Sequence, residues 1–239
     1  MTRPRPSIVS IADTPYYHCV GHCVRRAVLC GKDPLTGRTY SHRRQWLLER
    51  LGLLSETFAV DLCASALMSN HYHLVVRVNS AQAAAWSPRE VVERWARLSR
   101  DSERMQRYLR AEALTAAEQT LLDERIPVWT SRLTDLSCFM HCLNKWLADR
   151  ATQEDGCTGR SWEGRFKSRA LLDDAALLTA MAYVDLTPIR AGIAEQPIDS
   201  DFTSVQQRLL ELAKDARVEP VPRKRLPSLL PFADTTRKK

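Results

Sequence analysis

Between Phe58 and Val78 the chain carries two apolar runs, Phe58–Met68 and His71–Val78, joined by the dipeptide Ser69-Asn70. A joint that short leaves room only for a tight turn, so the spacing predicts an antiparallel hairpin. Successive side chains on a strand point to opposite faces. Tyr72, Leu74, Val76 and Val78 therefore share an apolar face that reads as the core side, and His71 and His73 share the other. Two imidazoles held side by side on a rigid strand can bind a divalent metal. The plain alternative is a half-buried strand whose histidines are simply exposed and polar. The first run is apolar almost throughout and reads as a central strand.

Residues 14–29 carry aromatic and β-branched residues and read as an earlier strand, with Gly21 marking a bulge or a close backbone approach. Ser41 is the expected N-cap of a helix running to Glu56, on which Trp46, Leu47, Leu51 and Leu54 recur at helical spacing. Ser87-Pro88-Arg89-Glu90 is a helix start, with serine at the N-cap and proline in the first turn. Residues 100–130 are charged and helix-prone up to Pro127, and read as a peripheral insertion; a further amphipathic helix is expected over 131–151. A strand at 166–172, a helix capped by Asp173-Asp174 and ended by Thr187-Pro188, and a last helix over 203–216 complete the pattern. The order is that of an α+β, ferredoxin-like βαββαβ core with an antiparallel sheet. Helices on one face of such a sheet leave the other open to a ligand. The domain reading is a basic arm (1–13), a core domain (14–195) with a helical insertion (100–160), and a C-terminal helix with a flexible basic tail (196–239).

Charge narrows the partners. The 239 residues carry a formal net charge of +7, which favours a polyanion. No apolar run reaches the roughly 18 residues of a membrane span, and the N-terminus lacks a signal-peptide core, so a cytoplasmic location is expected and no membrane partner. Seven cysteines with no Cys-x-x-Cys pair point to reduced thiols rather than disulfides or a zinc ribbon. His18 and His22 interleaved with Cys19 and Cys23, and Cys138, His141 and Cys142 at helical spacing, are the two alternative zinc positions; small buried thiols are the simpler account.

A second informative group is Tyr183-Val-Asp-Leu-Thr187-Pro-Ile-Arg190. Tyr183 and Thr187 are four apart and share a helix face. Near a metal, a tyrosine can act as a nucleophile towards phosphorus, the metal or a neighbouring cation helping the phenol to ionise; read alone, Tyr183 is equally a packing residue. Met68-Ser69-Asn70-His71-Tyr72-His73 resembles the His-hydrophobic-His motif of the HUH single-tyrosine transposase superfamily. Trp162-Glu-Gly-Arg165-Phe-Lys167-Ser168 followed by Tyr183 to Gly192 resembles the C-terminal block of its REP-associated tyrosine transposases, and the likeness spans residues 14–205. The resemblance implies a ferredoxin-like fold with the histidines on a central strand, and cleavage and rejoining of single-stranded DNA beside palindromic hairpins. It implies that His71 and His73 hold Mg²⁺ or Mn²⁺, and that Tyr183 forms a 5′-phosphotyrosine link and frees a 3′-hydroxyl without ATP. It further implies a monomer, with a dimer as the alternative, and no small-molecule substrate.

One departure stands out. The family's third metal ligand lies four residues after the tyrosine and is often an amide; this chain has Thr187, a shorter and poorer ligand. Weaker metal binding follows, and with it a rival reading: a hairpin-binding protein of the same fold with weakened or lost catalysis. A hydrolytic metalloenzyme using water on the His71/His73 metal is the third. Candidate phosphate contacts are Arg25, Arg26, Arg43, Arg44, Arg165, Lys167, Arg169 and Arg190, with the 165–169 group foremost; Arg3, Arg5 and the tail cations could add nonspecific affinity.

Overall fold

A computed structural model of the protein describes residues 10–23, 29–33, 36–99, 103–156, 159–215 and 229. Its elements are β1 (Tyr16–His22), α1 (His42–Thr57), β2 (Val60–Leu67), β3 (His71–Val78), α2 (Ser80–Ala84), α3 (Pro88–Ala96), α4 (Glu103–Leu109), α5 (Ala116–Leu133), α6 (Leu136–Asp155), β4 (Lys167–Ala170), α7 (Asp174–Asp185), α8 (Thr187–Arg190) and α9 (Ser204–Asp215). The strands form one antiparallel sheet in the order β2-β3-β1-β4. β3 thus lies between β1 and β2, and β1 between β3 and β4, as a ferredoxin-like βαββαβ core requires.

Alternation along β3 places its apolar residues as the sequence predicts. Tyr72, Leu74, Val76 and Val78 are buried with Tyr17 and Cys19 of β1, Leu47, Leu51 and Leu54 of α1, and Phe139, Met140, Leu143 and Leu147 of α6. β2 differs from its expected place: it is an edge strand. Its apolar character comes from cover on both faces, and its outer edge is occupied by later chain. Ser65 N–H donates to Ser204 Oγ (2.8 Å), Leu67 N–H to the Phe202 carbonyl (3.3 Å), and bridges join Ala66 to Thr203 and Leu62 to Leu229. Covering an edge in this way removes its unpaired donors from solvent.

Four further expectations also change. Pro127 lies inside α5 rather than ending it. Pro127 and Asp123, four residues earlier, are both exposed, so water can reach the carbonyl that loses its helical donor, while Leu122, Trp129 and Leu133 anchor the helix in the main core. The next helix begins at Leu136, where Asp135 accepts from Cys138 N–H at 2.6 Å, and residues 103–155 are part of the core rather than peripheral. Ser41 makes no side-chain cap. Ser87, by contrast, forms a full capping box with Glu90.

Gly21 is a close approach. It pairs with Tyr72, and a Cβ there would lie 2.5 Å from Tyr72 Cζ. Tyr72 cannot yield easily: it is fully buried, donates to Asn144 Oδ1 at 2.5 Å, and meets Trp162 edge-on at 5.8 Å. Gly21→Ala is expected to destabilise the fold by about 1–3 kcal/mol through overpacking. Urea denaturation measures this; an unchanged midpoint would show that Tyr72 has room to move.

Candidate active site

The face of the sheet opposite α1 and α6 carries histidines from both central strands. Register pairs His22 with His71 and Val20 with His73, and His18 stands two residues further along β1. His18 Nε2 lies 3.0 Å from His73 Nδ1, and the two rings stack at 5.2 Å. The His22 and His71 rings stack at 5.0 Å, and His71 and His73 meet edge-on at 5.0 Å. His71 Nδ1 lies 2.7 Å from Asn70 Oδ1.

This face is not left open. The small residues Cys63, Ala64, Ala66 and Val75 allow α7 to pack across it through Ala180, Met181 and Val184. Asp173 caps the helix, accepting from Ala176 N–H at 2.6 Å. That docking puts Tyr183 over the histidines, its ring 5.7 Å from His73 and 6.1 Å from His18 by centroids. The Arg190 guanidinium lies 5.2 Å from the Tyr183 ring centre, and Thr187 Oγ1 donates back to the Tyr183 carbonyl at 2.7 Å. Between α7 and the β1–β4 edge runs a groove of about 790 Å³, lined by His18, His22, His73 and Tyr183 together with Lys167 and Arg169. Lys167 pairs with Val20 and Arg169 with His18, so both cations project to the histidine side.

Of the residues singled out from sequence, His73, Tyr183, Lys167 and Arg169 meet in the groove, with His71, Thr187 and Arg190 beside them. Arg165 instead borders a separate hollow with Cys138, His141, Trp162 and Phe166. Arg43 is a correction: it is 3% exposed and is bonded to Glu154 (2.6 Å) and Asp155, which removes it from any DNA-facing surface. Arg44 is half-buried with its guanidinium 5.6 Å from the Phe202 ring. Arg25, Arg26, Arg3, Arg5 and the tail cations lie outside the described residues. His18 and His22, which the sequence offers only as zinc partners of Cys19 and Cys23, lie instead with the β3 histidines. Strand alternation already separates them from those cysteines, since Cys19 faces the α1/α6 core.

Burial lowers the proton affinity of His18, His71 and His73. His18 and His71 titrate below the ordinary histidine range, mainly through desolvation. His73 is pushed down to about 3 by burial and then by charge on His18, His71 and His22. The unfolded chain takes up protons as pH falls through about 6.5, whereas the folded imidazoles resist them. Their contribution to stability is therefore complete above about 6.5 and drains away as pH drops towards the folded values. The urea midpoint of the metal-free protein is expected to be lower at pH 5 than at pH 7.5, with a shallower dependence in His73→Gln.

Neutral imidazoles suit a divalent transition ion. Among the described residues, however, no three His, Cys, Asp or Glu side chains are grouped so as to hold one. His71 and His73, on one face of β3, would supply an ion with two nitrogen donors at most and leave its other positions to oxygen.

No protein-family model matches the chain, and no curated protein is similar to it in sequence. Among solved structures, the chain is similar to that of a REP-associated tyrosine transposase bound to a REP hairpin, with a TM-score of 0.50 and 12% identity over 87% of this chain and 86% of that one. The likeness is one of fold. It makes this chain a distant structural relative of that transposase. No helix among the described residues is long and apolar enough to cross a membrane.

Proposed function

We propose that the protein is a metal-dependent transesterase that cuts and rejoins single-stranded DNA beside a hairpin, with Tyr183 as nucleophile. The observation that carries this reading is the Tyr183 ring held 5.7 Å from His73 at the head of a groove bearing Lys167 and Arg169. Lys167 and Arg169 would pair with backbone phosphates, and Arg190 lies on the other side of the tyrosine to do the same. A Mg²⁺ or Mn²⁺ ion held by His71 and His73 would polarise the scissile phosphate. The Tyr183 oxygen attacks phosphorus, the bond to the upstream 3′-oxygen breaks, and that oxygen takes up a proton as the phenol loses one. The phosphate stays on the 5′ end of the downstream strand as a tyrosine ester, which a 3′-hydroxyl can attack in the reverse step. Bond energy is conserved, so no nucleotide triphosphate is consumed.

The test is a labelled hairpin with a single-stranded flank, incubated with protein and Mn²⁺. A denaturation-resistant adduct whose DNA-bearing peptide contains Tyr183 is the expected result. Hairpin binding without an adduct would favour the second reading, a hairpin-binding protein with lost catalysis. That reading draws on Thr187, whose hydroxyl is turned back onto the Tyr183 carbonyl. Thr187→Asn separates the two further. An added amide oxygen is expected to tighten Mn²⁺ by about tenfold, roughly 1.4 kcal/mol, and to raise adduct yield. Unchanged Mn²⁺ affinity in calorimetry would show that position 187 is not a ligand.

A further inference from the structure

His18 plays no part in the reaction just described, yet it touches one of the two metal-binding histidines directly. Its Nε2 is 3.0 Å from His73 Nδ1, and the rings are stacked within 26° of parallel. One proton serves such a contact, so one ring donates and the other accepts. The direction decides what His73 can do. When Nδ1 of His73 donates, its Nε2 keeps a lone pair and can ligate; when Nδ1 accepts, Nε2 carries the proton and cannot. His71 meets the same requirement by another route, its Nδ1 set against the Asn70 side-chain oxygen at 2.7 Å. Both histidines of β3 thus have Nδ1 engaged by a neighbour, one from the hairpin turn and one from β1.

We propose that His18 is a positioning residue for His73: its Nε2 accepts the His73 Nδ1 proton, fixes the ring, and reserves His73 Nε2 for the ion. The proposal rests on the metal-dependent reading above. Metal-binding histidines are commonly held this way through their second nitrogen, and losing the partner costs about 10–100-fold in metal affinity. The strands make the arrangement rigid. β1 and β3 are hydrogen-bonded neighbours in the sheet interior, so His18 and His73 are fixed relative to each other by the backbone ladder and not by a loop. Alternation puts His18 and His22 on one face of β1, and the β1–β3 register makes that face continuous with the His71/His73 face of β3.

Two measurements test this. Long-range nitrogen–proton NMR of the metal-free wild-type protein reads the His73 tautomer; Nδ1–H is expected, and Nε2–H would overturn the proposal. Mn²⁺ titration of the protein without DNA then compares His18→Leu, His18→Gln and His73→Gln. His18→Leu is expected to weaken Mn²⁺ about 10–100-fold, while His18→Gln, whose side-chain oxygen can accept the same proton, retains most of the affinity. Wild-type affinity in His18→Leu overturns the positioning role. So does an equal loss in His18→Gln, which would make His18 a ligand itself. If His73→Gln binds Mn²⁺ as wild type does, it is the metal-dependent reading that fails.

Discussion

Tyr183→Phe is expected to abolish the covalent DNA adduct, a loss of more than about a thousandfold, while hairpin binding stays close to wild type. The substitution removes one oxygen and keeps the ring that faces His73 and Arg190. The other phenols of the sheet are poorly placed to substitute. Tyr17 and Tyr72 are buried on the opposite face, their hydroxyls donating to the Ser10 carbonyl and to Asn144 Oδ1. Tyr16 shares the histidine face but packs against the cluster around Ala180, so Tyr16→Phe serves as the control that should retain the adduct. Denaturing gels report the adduct and fluorescence anisotropy reports binding. An adduct that survives in Tyr183→Phe would place the nucleophile elsewhere. Strand cleavage that survives without any adduct would favour a metal-activated water, the hydrolytic alternative.

The parts of the fold legible in the sequence are those fixed by local chemistry. Alternation over His71–Val78 and the short Ser69-Asn70 joint give β3 and its pairing with β2. The Ser87/Glu90 and Asp173 caps give the starts of α3 and α7. Thr115-Ala-Ala-Glu118 is a capping box of the same kind, and it explains why α5 begins at Ala116 ahead of a proline that local rules would treat as a stop. What local chemistry does not decide is which apolar run becomes an edge. β2 reads as central because it is buried on both faces; one face packs with α1 in the main core, but cover of the other face and of the outer edge comes from α7, α9 and the segment around Phe202, all more than 100 residues away. The same holds for the site. His71, His73 and Tyr183 are visible as motifs, but His18 joins them only through the β1–β3 register, and Arg43 leaves the list only because Glu154 and Asp155 reach it from the far end of α6.

The helix that carries Tyr183 is held by a buried ion pair, and breaking it is expected to have the largest effect on stability. Asp185, 8% exposed, receives Ser204 Oγ at 2.5 Å and the Arg208 guanidinium at 3.0 Å, and Arg208 also donates to the Cys63 carbonyl. These bonds tie α7 to α9 and to β2. Arg208→Met strands the Asp185 carboxylate without its cation and is expected to cost about 3–5 kcal/mol. Burial already raises the Asp185 proton affinity above the ordinary carboxylate range even with Ser204 and Arg208 opposing it, and losing Arg208 raises it further. A folded carboxyl that holds a proton the unfolded chain has released loses stability as pH rises, from about 4 up through its folded value. The destabilisation of Arg208→Met relative to wild type should accordingly be smaller near pH 5 than at pH 8. Asp185→Leu/Arg208→Met, which removes both charges, should recover most of the loss, because replacing a whole buried pair by apolar groups is often near neutral. Equal destabilisation in the single and double variants would mean that packing by the Arg208 stem, not the buried charge, secures α9. In the DNA assay the single variant should lose adduct yield even where it remains folded, since Tyr183 sits two residues from the latch and depends on α7 staying seated over His73.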